Sequence, residues 1–174
     1  MKIFGSVSIR KVAVVSACAL AAAGIGVLLP GAASAASTPR CRQGLDLRIN
    51  FGSGEGAAGS TYRQLEFHNI SGHSCYLDGH PGVSYVNSAG TQVGPAATKT
   101  GAIHDVVLAA GKTGYATLRV VQYLNYANCT VANVAGFRVY PPGSTASSFV
   151  ADAGKTCSNK QILSISAVSL TQGG

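Results

Sequence analysis

The chain has no tryptophan, and only six of its 174 residues are carboxylates. Without Trp it lacks the buried indole that marks an antibody-type domain. The carboxylates are Asp46, Glu55, Glu66, Asp78, Asp105 and Asp152, and no two stand out as the acid–base pair that flanks a glycosidic bond. Runs of positive charge are missing too. Beyond the N-terminal segment the cations are scattered, and only Arg40 and Arg42 lie close together. That excludes a nucleic-acid arm or a polybasic membrane patch. The serine-hydrolase elbow G-x-S-x-G is incomplete, because "GHSCY" and "GVSYV" both lack the last glycine. Gly111-Lys112-Thr113 and Gly154-Lys155-Thr156 echo the end of a P-loop, but the glycine required five positions earlier is Val106 or Phe149.

What is present begins with export. Lys2, Arg10 and Lys11 precede an almost uncharged apolar run from Val12 to Leu29, broken by Pro30. Ala33-Ser34-Ala35 supplies the small residues that signal peptidase accepts, so residues 1–35 read as a cleavable signal peptide cut between Ala35 and Ala36. A retained membrane helix is disfavoured by the weakly hydrophobic "AAAGIG". Lipid anchoring through Cys18, in Val15-Ser16-Ala17-Cys18, is the lesser alternative, because the most apolar segment follows that cysteine instead of preceding it. Residues 36–40 form a short linker and 41–174 one domain. The formal charge falls from +7 to +4 when the three N-terminal cations leave. No nucleic-acid partner, retained membrane span or cofactor is expected.

Helical periodicity is hard to find in the mature chain, whereas period-two alternation is everywhere. "LDLRINF" sets Leu45, Leu47, Ile49 and Phe51 against Asp46, Arg48 and Asn50. "YRQLEFHN" turns Leu65 and Phe67 inward and Gln64, Glu66 and His68 outward. "GVSYVN", "HDVVLAAGKT", "GYATLRVVQ", "VAGFRVYPPGS", "SSFVAD" and "QILSISAVSL" complete about eight strands divided by Gly, Pro, Ser and Asn clusters. The pattern predicts an all-β fold, an antiparallel sandwich of immunoglobulin-like type. Four cysteines remain after signal removal, which suits two disulfides in an oxidising compartment. Cys41 precedes the first strand and Cys75 follows the second, so antiparallel neighbours bring them together. Cys129 precedes "FRVYPP", and the chain returns past Pro141-Pro142-Gly143 to Cys157. The expected pairs are therefore Cys41–Cys75 and Cys129–Cys157.

The stretch "HNISGHSCYLDGHPG" is rich in metal-ligating types. His68, His73 and His80 offer a zinc or copper site, yet they straddle a strand end and two turns, where nothing enforces convergence. They are read as loop histidines. "GSGEGAAGS" contains Gly54-x-Gly56-x-x-Gly59, but the segment after it alternates as a strand, so a flexible glycine loop is expected and not a dinucleotide site. Asn69-Ile70-Ser71 and Asn128-Cys129-Thr130 satisfy the glycosylation sequon, which matters only in a host that glycosylates.

"GAAGSTY", "LEFHNISGHSCYLDGHPGVSYV", "GTQVGPAA", "VVLAAGKTGYATLRV" and "CTVANVAGFRVYPPGSTASSFV", in this order and followed by Cys157, resemble the secreted actinobacterial family catalogued as domain of unknown function 4232, over about residues 41 to 170. The resemblance implies an exported, sometimes lipid-anchored, all-β domain. The family pattern carries Asn69, Ser71, Cys75, Gly79, Pro81 and Gly82. It does not demand His68, His73 or His80, and it brings no catalytic residues. A scaffold role suits these positions. Gly72, Gly79 and Gly82 would permit positive φ, Asn69 and Ser71 would bond the loop backbone, and Pro81 would stiffen the approach to the next strand. The leading expectation is a secreted or envelope-associated, non-enzymatic module whose loops bind a protein or an envelope polymer. The alternatives are a secreted hydrolase or metal-binding protein using His68, His73 and His80, and an inhibitor of extracellular proteases.

Overall fold

The computed structural model describes residues 37–173. The expected signal segment, its cleavage between Ala35 and Ala36, and the Cys18 alternative lie outside the described residues. Eleven strands follow one another: β1 (Leu47–Ala57), β2 (Ser60–Asn69), β3 (Cys75–Asp78), β4 (Gly82–Val86), β5 (Gln92–Val93), β6 (Thr98–Thr100), β7 (Asp105–Leu108), β8 (Thr113–Val121), β9 (Val131–Tyr140), β10 (Ser148–Cys157) and β11 (Leu163–Ser166). One sheet has the order β1-β2-β8-β11-β6, the second β10-β9-β4-β5, and β3 pairs with β7. Among the described residues every strand pairing is antiparallel except β11 with β6. No helix among the described residues is long and apolar enough to cross a membrane.

The two large sheets share one core, which makes the fold a sandwich. Leu47, Ile49, Leu65, Phe67, Leu118 and Ile165 come from the first sheet, and Val83, Tyr85, Phe137, Val139 and Val150 from the second. Alternation explains the choice, since Leu65 and Phe67 are fully buried two positions apart on β2. Each such side chain stabilises the fold by about 1.5–3 kcal/mol.

Both disulfides form. Leu47 stands opposite Asn69 in the β1–β2 ladder, which brings the segment before β1 to the end of β2 and joins Cys41 to Cys75. Cys157 stands opposite Val131, two residues from its partner Cys129.

Three expectations need correction. The strands number eleven because β3, β5 and β6, of two to four residues, are too short for alternation to show. "GSGEGA" is not a loop: β1 continues through it to Ala57. Its partner β2 supplies the ladder, and the turn shrinks to Ala58 and Gly59, whose φ values of 23° and 78° suit a two-residue hairpin. Asp46 is not on the solvent face but 2% exposed. It lies in the turn before β1 and accepts hydrogen bonds from the Arg42 backbone N–H (2.8 Å) and Nε (2.9 Å).

That buried carboxylate makes stability depend on pH. The Arg42 guanidinium, aided by its backbone N–H and opposed by burial, holds Asp46 below its ordinary value. A depressed folded pKa contributes stability that is complete above the unfolded pKa, about 3.9, and is lost as pH falls through the lower folded value. Thermal melts between pH 2 and 7 should show a decline below about pH 4. Asp46→Asn should flatten that decline and melt earlier at neutral pH. Parallel curves for the two proteins would contradict the assignment.

Candidate functional site: a cleft between the sheets

Arg63 shares the inward face of β2 with Leu65 and Phe67, because side chains two apart point the same way. A cation therefore enters the space between the sheets. The facing strand meets it with a carboxylate. In the β9–β10 ladder Ala151 pairs with Gly136 and Gly154 with Val134, so Asp152 and Ala153 oppose the single residue Ala135. Such a bulge re-aims a side chain. Gly136 is what lets the chain bend there: a Cβ on it would stand 2.3 Å from the Val150 carbonyl oxygen and 2.9 Å from the Asp152 nitrogen. Asp152 Oδ2 then lies 2.6 Å from Arg63 Nη1. The guanidinium sits over the Phe51 ring, 3.9 Å from its centroid. Phe51 meets Phe137 edge-on at 5.3 Å, and Phe137 stacks on Tyr85 at 4.2 Å.

A second bulge lies nearby on β1, between Phe51 and Gly54. It turns Gly54 toward Arg63, whose Cγ would lie 3.2 Å from an added Cβ. Gly56, two positions on, faces empty space. Around the Arg63–Asp152 pair lies a cleft of about 250 Å³, lined by Thr61, Arg63, Tyr85, Gln122, Tyr123, Asp152 and Lys155 among others. Tyr85 is only 6% exposed, and its phenol makes no hydrogen bond among the described residues. Burial first, and Asp152 second, push its pKa up against the opposing pull of Arg63, so it remains a protonated donor.

The rim is held on several sides. Gly59, in the hairpin turn, accepts from Gln122 N–H (2.9 Å) and Asn125 Nδ2 (2.8 Å). Beyond the 3₁₀ turn Tyr123–Asn125, the Cys129–Cys157 disulfide is braced by Asn159, which donates to the Asn128 carbonyl and accepts from the Thr130 N–H. Leu124 projects from that turn, 78% exposed.

The histidine-rich stretch lies elsewhere. His68 Nδ1 is 2.9 Å from Thr113 Oγ1, His73 Nε2 is 3.8 Å from Asp46 Oδ1, and His80 Nε2 is 2.8 Å from the Thr100 carbonyl oxygen. Among the described residues no three His, Cys, Asp or Glu side chains gather as a metal ion requires. Asn69 is instead the hub of this region. Fully buried, it donates from Nδ2 to the His73 and Leu108 carbonyls (2.9 Å each) and accepts from the Ser71 N–H and hydroxyl. It thus ties the end of β2 to the following loop and to β7. Gly79 has φ 104°. Gly72 and Gly82 do not adopt positive φ, contrary to expectation. Gly82 begins β4, where an added Cβ would meet that of Tyr140 at 3.4 Å, an ordinary van der Waals contact. Pro81, just before it, is buried.

Residues 41–169 match the model of a family described as a domain of unknown function, DUF4232. The chain belongs to this family. Comparison with the curated proteins finds no match. Both disulfides, the Asn69 hub and the cleft fall inside the matched span. Sequence reasoning passed over Arg63, Tyr85, Asp152 and Lys155. The signal for Arg63 was its shared parity with Leu65 and Phe67. For Asp152 it was the glycine on either side of the bulge, Gly136 and Gly154.

Proposed function

We propose that this DUF4232 domain is an exported, non-enzymatic binding module that takes a component of the cell envelope at the mouth of the inter-sheet cleft. The observation that carries this reading is Arg63. A guanidinium on the core-facing side of a strand is unusual, because packing against the other sheet asks for apolar side chains there. Here it is retained, paired with Asp152 and left 27% exposed at the cleft. Two disulfides suit an oxidising compartment. The braced rim suits recognition without large rearrangement, and exposed Leu124 adds apolar contact beside the polar cleft.

The test is retention of isolated envelope material by immobilised domain, with an Arg63→Leu/Asp152→Leu variant in parallel. The pair is partly exposed and such a bridge contributes about 0–1 kcal/mol, so the variant should stay folded, which circular dichroism checks. Wild type should retain a component that the variant does not. Equal retention by both, or none by either, would refute the cleft as the binding site.

A further inference from the structure

We infer that the cleft is a carboxylate site, an inference that rests on the cleft being the binding site as proposed above. Its lining carries two cations and one carboxylate, with hydroxyls and an amide that can donate to a ligand. Arg63, Lys155, the Tyr85 and Tyr123 hydroxyls and the Gln122 amide face one acidic group, Asp152. That carboxylate is already committed to Arg63 Nη1. A guanidinium has five N–H donors, so one contact with Asp152 leaves capacity for a second oxyanion. The Arg63–Asp152 pair is neutral as a unit. Lys155 forms no ion pair among the described residues and leaves the cleft with one uncompensated positive charge. A singly charged ligand balances it.

The Tyr85 phenol adds a neutral donor to the same cleft. It is 6% exposed, lines the cleft and has no partner among the described residues. Its oxygen is not sealed from solvent, so an arriving acceptor can take a hydrogen bond from it at the cleft. The cleft volume of about 250 Å³ holds one sugar ring or one amino-acid residue, with the rest of a polymer lying outside. The required group is therefore a carboxylate on a single terminal or pendant unit: a uronic acid in a polysaccharide, or the C-terminus of a peptide.

Amide and side-chain NMR titration of the described domain would decide this, with D-glucuronate and N-acetyl-alanyl-alanine as probes, and D-glucose and the dipeptide amide as neutral controls. Either charged probe should shift resonances of Arg63, Tyr85, Lys155 and their neighbours, and its affinity should fall with added salt. Tyr85→Phe, which keeps the ring stacked on Phe137, should weaken binding by about tenfold. Preference for one charged probe identifies a sugar-acid or a peptide source. Neutral controls binding as well as the charged probes, or an unchanged affinity in Tyr85→Phe, would overturn the inference. If neither carboxylate shifts the cleft while envelope capture still depends on Arg63, the carboxylate inference fails and the cleft reading stands. If capture is also indifferent to Arg63, both fail.

Discussion

Phe137→Ala should destabilise the domain by about 3–5 kcal/mol, the range for deleting a buried aromatic ring. Phe137 is fully buried in β9 and lies directly across the ladders from Tyr85 on β4 and Val150 on β10. Its ring stacks on Tyr85 and takes the edge of Phe51 from the opposite sheet. Truncation opens a void where the two sheets meet, and neither backbone ladder can collapse to fill it. The effect should extend to the cleft, because Phe51 carries the Arg63 guanidinium and Tyr85 supplies the unpartnered phenol. Urea unfolding measures the loss, and an unchanged m-value would confirm that the same fold is unfolding. Phe137→Leu, which leaves a smaller void, should cost less. A deficit below about 1 kcal/mol for the alanine variant would mean that Phe137 does not couple the sheets.

Replacing Cys41 and Cys75 together by alanine should cost about 4 kcal/mol, the chain-entropy value for a closed loop of this size. The bridge spans 34 positions, and both cysteines are buried. It anchors the segment before β1 to β3, where Cys41 N–H donates to the Tyr76 carbonyl and Tyr76 N–H to that of Pro39. For a domain of this length the melting midpoint should fall by about 12 °C. The Cys129→Ala/Cys157→Ala variant should lose less, because its bridge spans 28 positions and Cys129 is only partly buried. Equal melting of wild type and the Cys41/Cys75 variant would show that the staple adds nothing to folded stability.

Parts of this fold could be read directly from residue types. Leu65 and Phe67, or Leu47 and Ile49, declare a buried face because alternation survives wherever side chains differ in polarity. The disulfide pairs followed from strand order alone, since antiparallel neighbours bring the start of one to the end of the next. Glycine hides the rest. From Gly52 to Gly56 there is almost no side-chain alternation to see, so a strand passed for a loop. Bulges hide more, because one extra residue inverts every parity after it. Asp152 cannot be placed on the inner or outer face without knowing that the ladder slips between Ala151 and Gly154. Arg63 carried the right parity, but a charge in a strand ordinarily belongs outside, and only the facing carboxylate makes its inward position tolerable. Histidines attracted attention by chemical type while their side chains turned to local partners such as Thr113 and Thr100.

The burial of Asn69 has a practical consequence for recombinant production. Its amide is spent entirely inside the protein, on carbonyls from the next loop and from β7. A eukaryotic secretory host attaches oligosaccharide to Asn-Ile-Ser during translation, before β2 has docked. A sugar tree on that nitrogen would keep the strand end from closing and send the chain to quality control. Material for crystals or binding work is best made in a bacterial periplasm, where the disulfides still form and Asn69 stays bare.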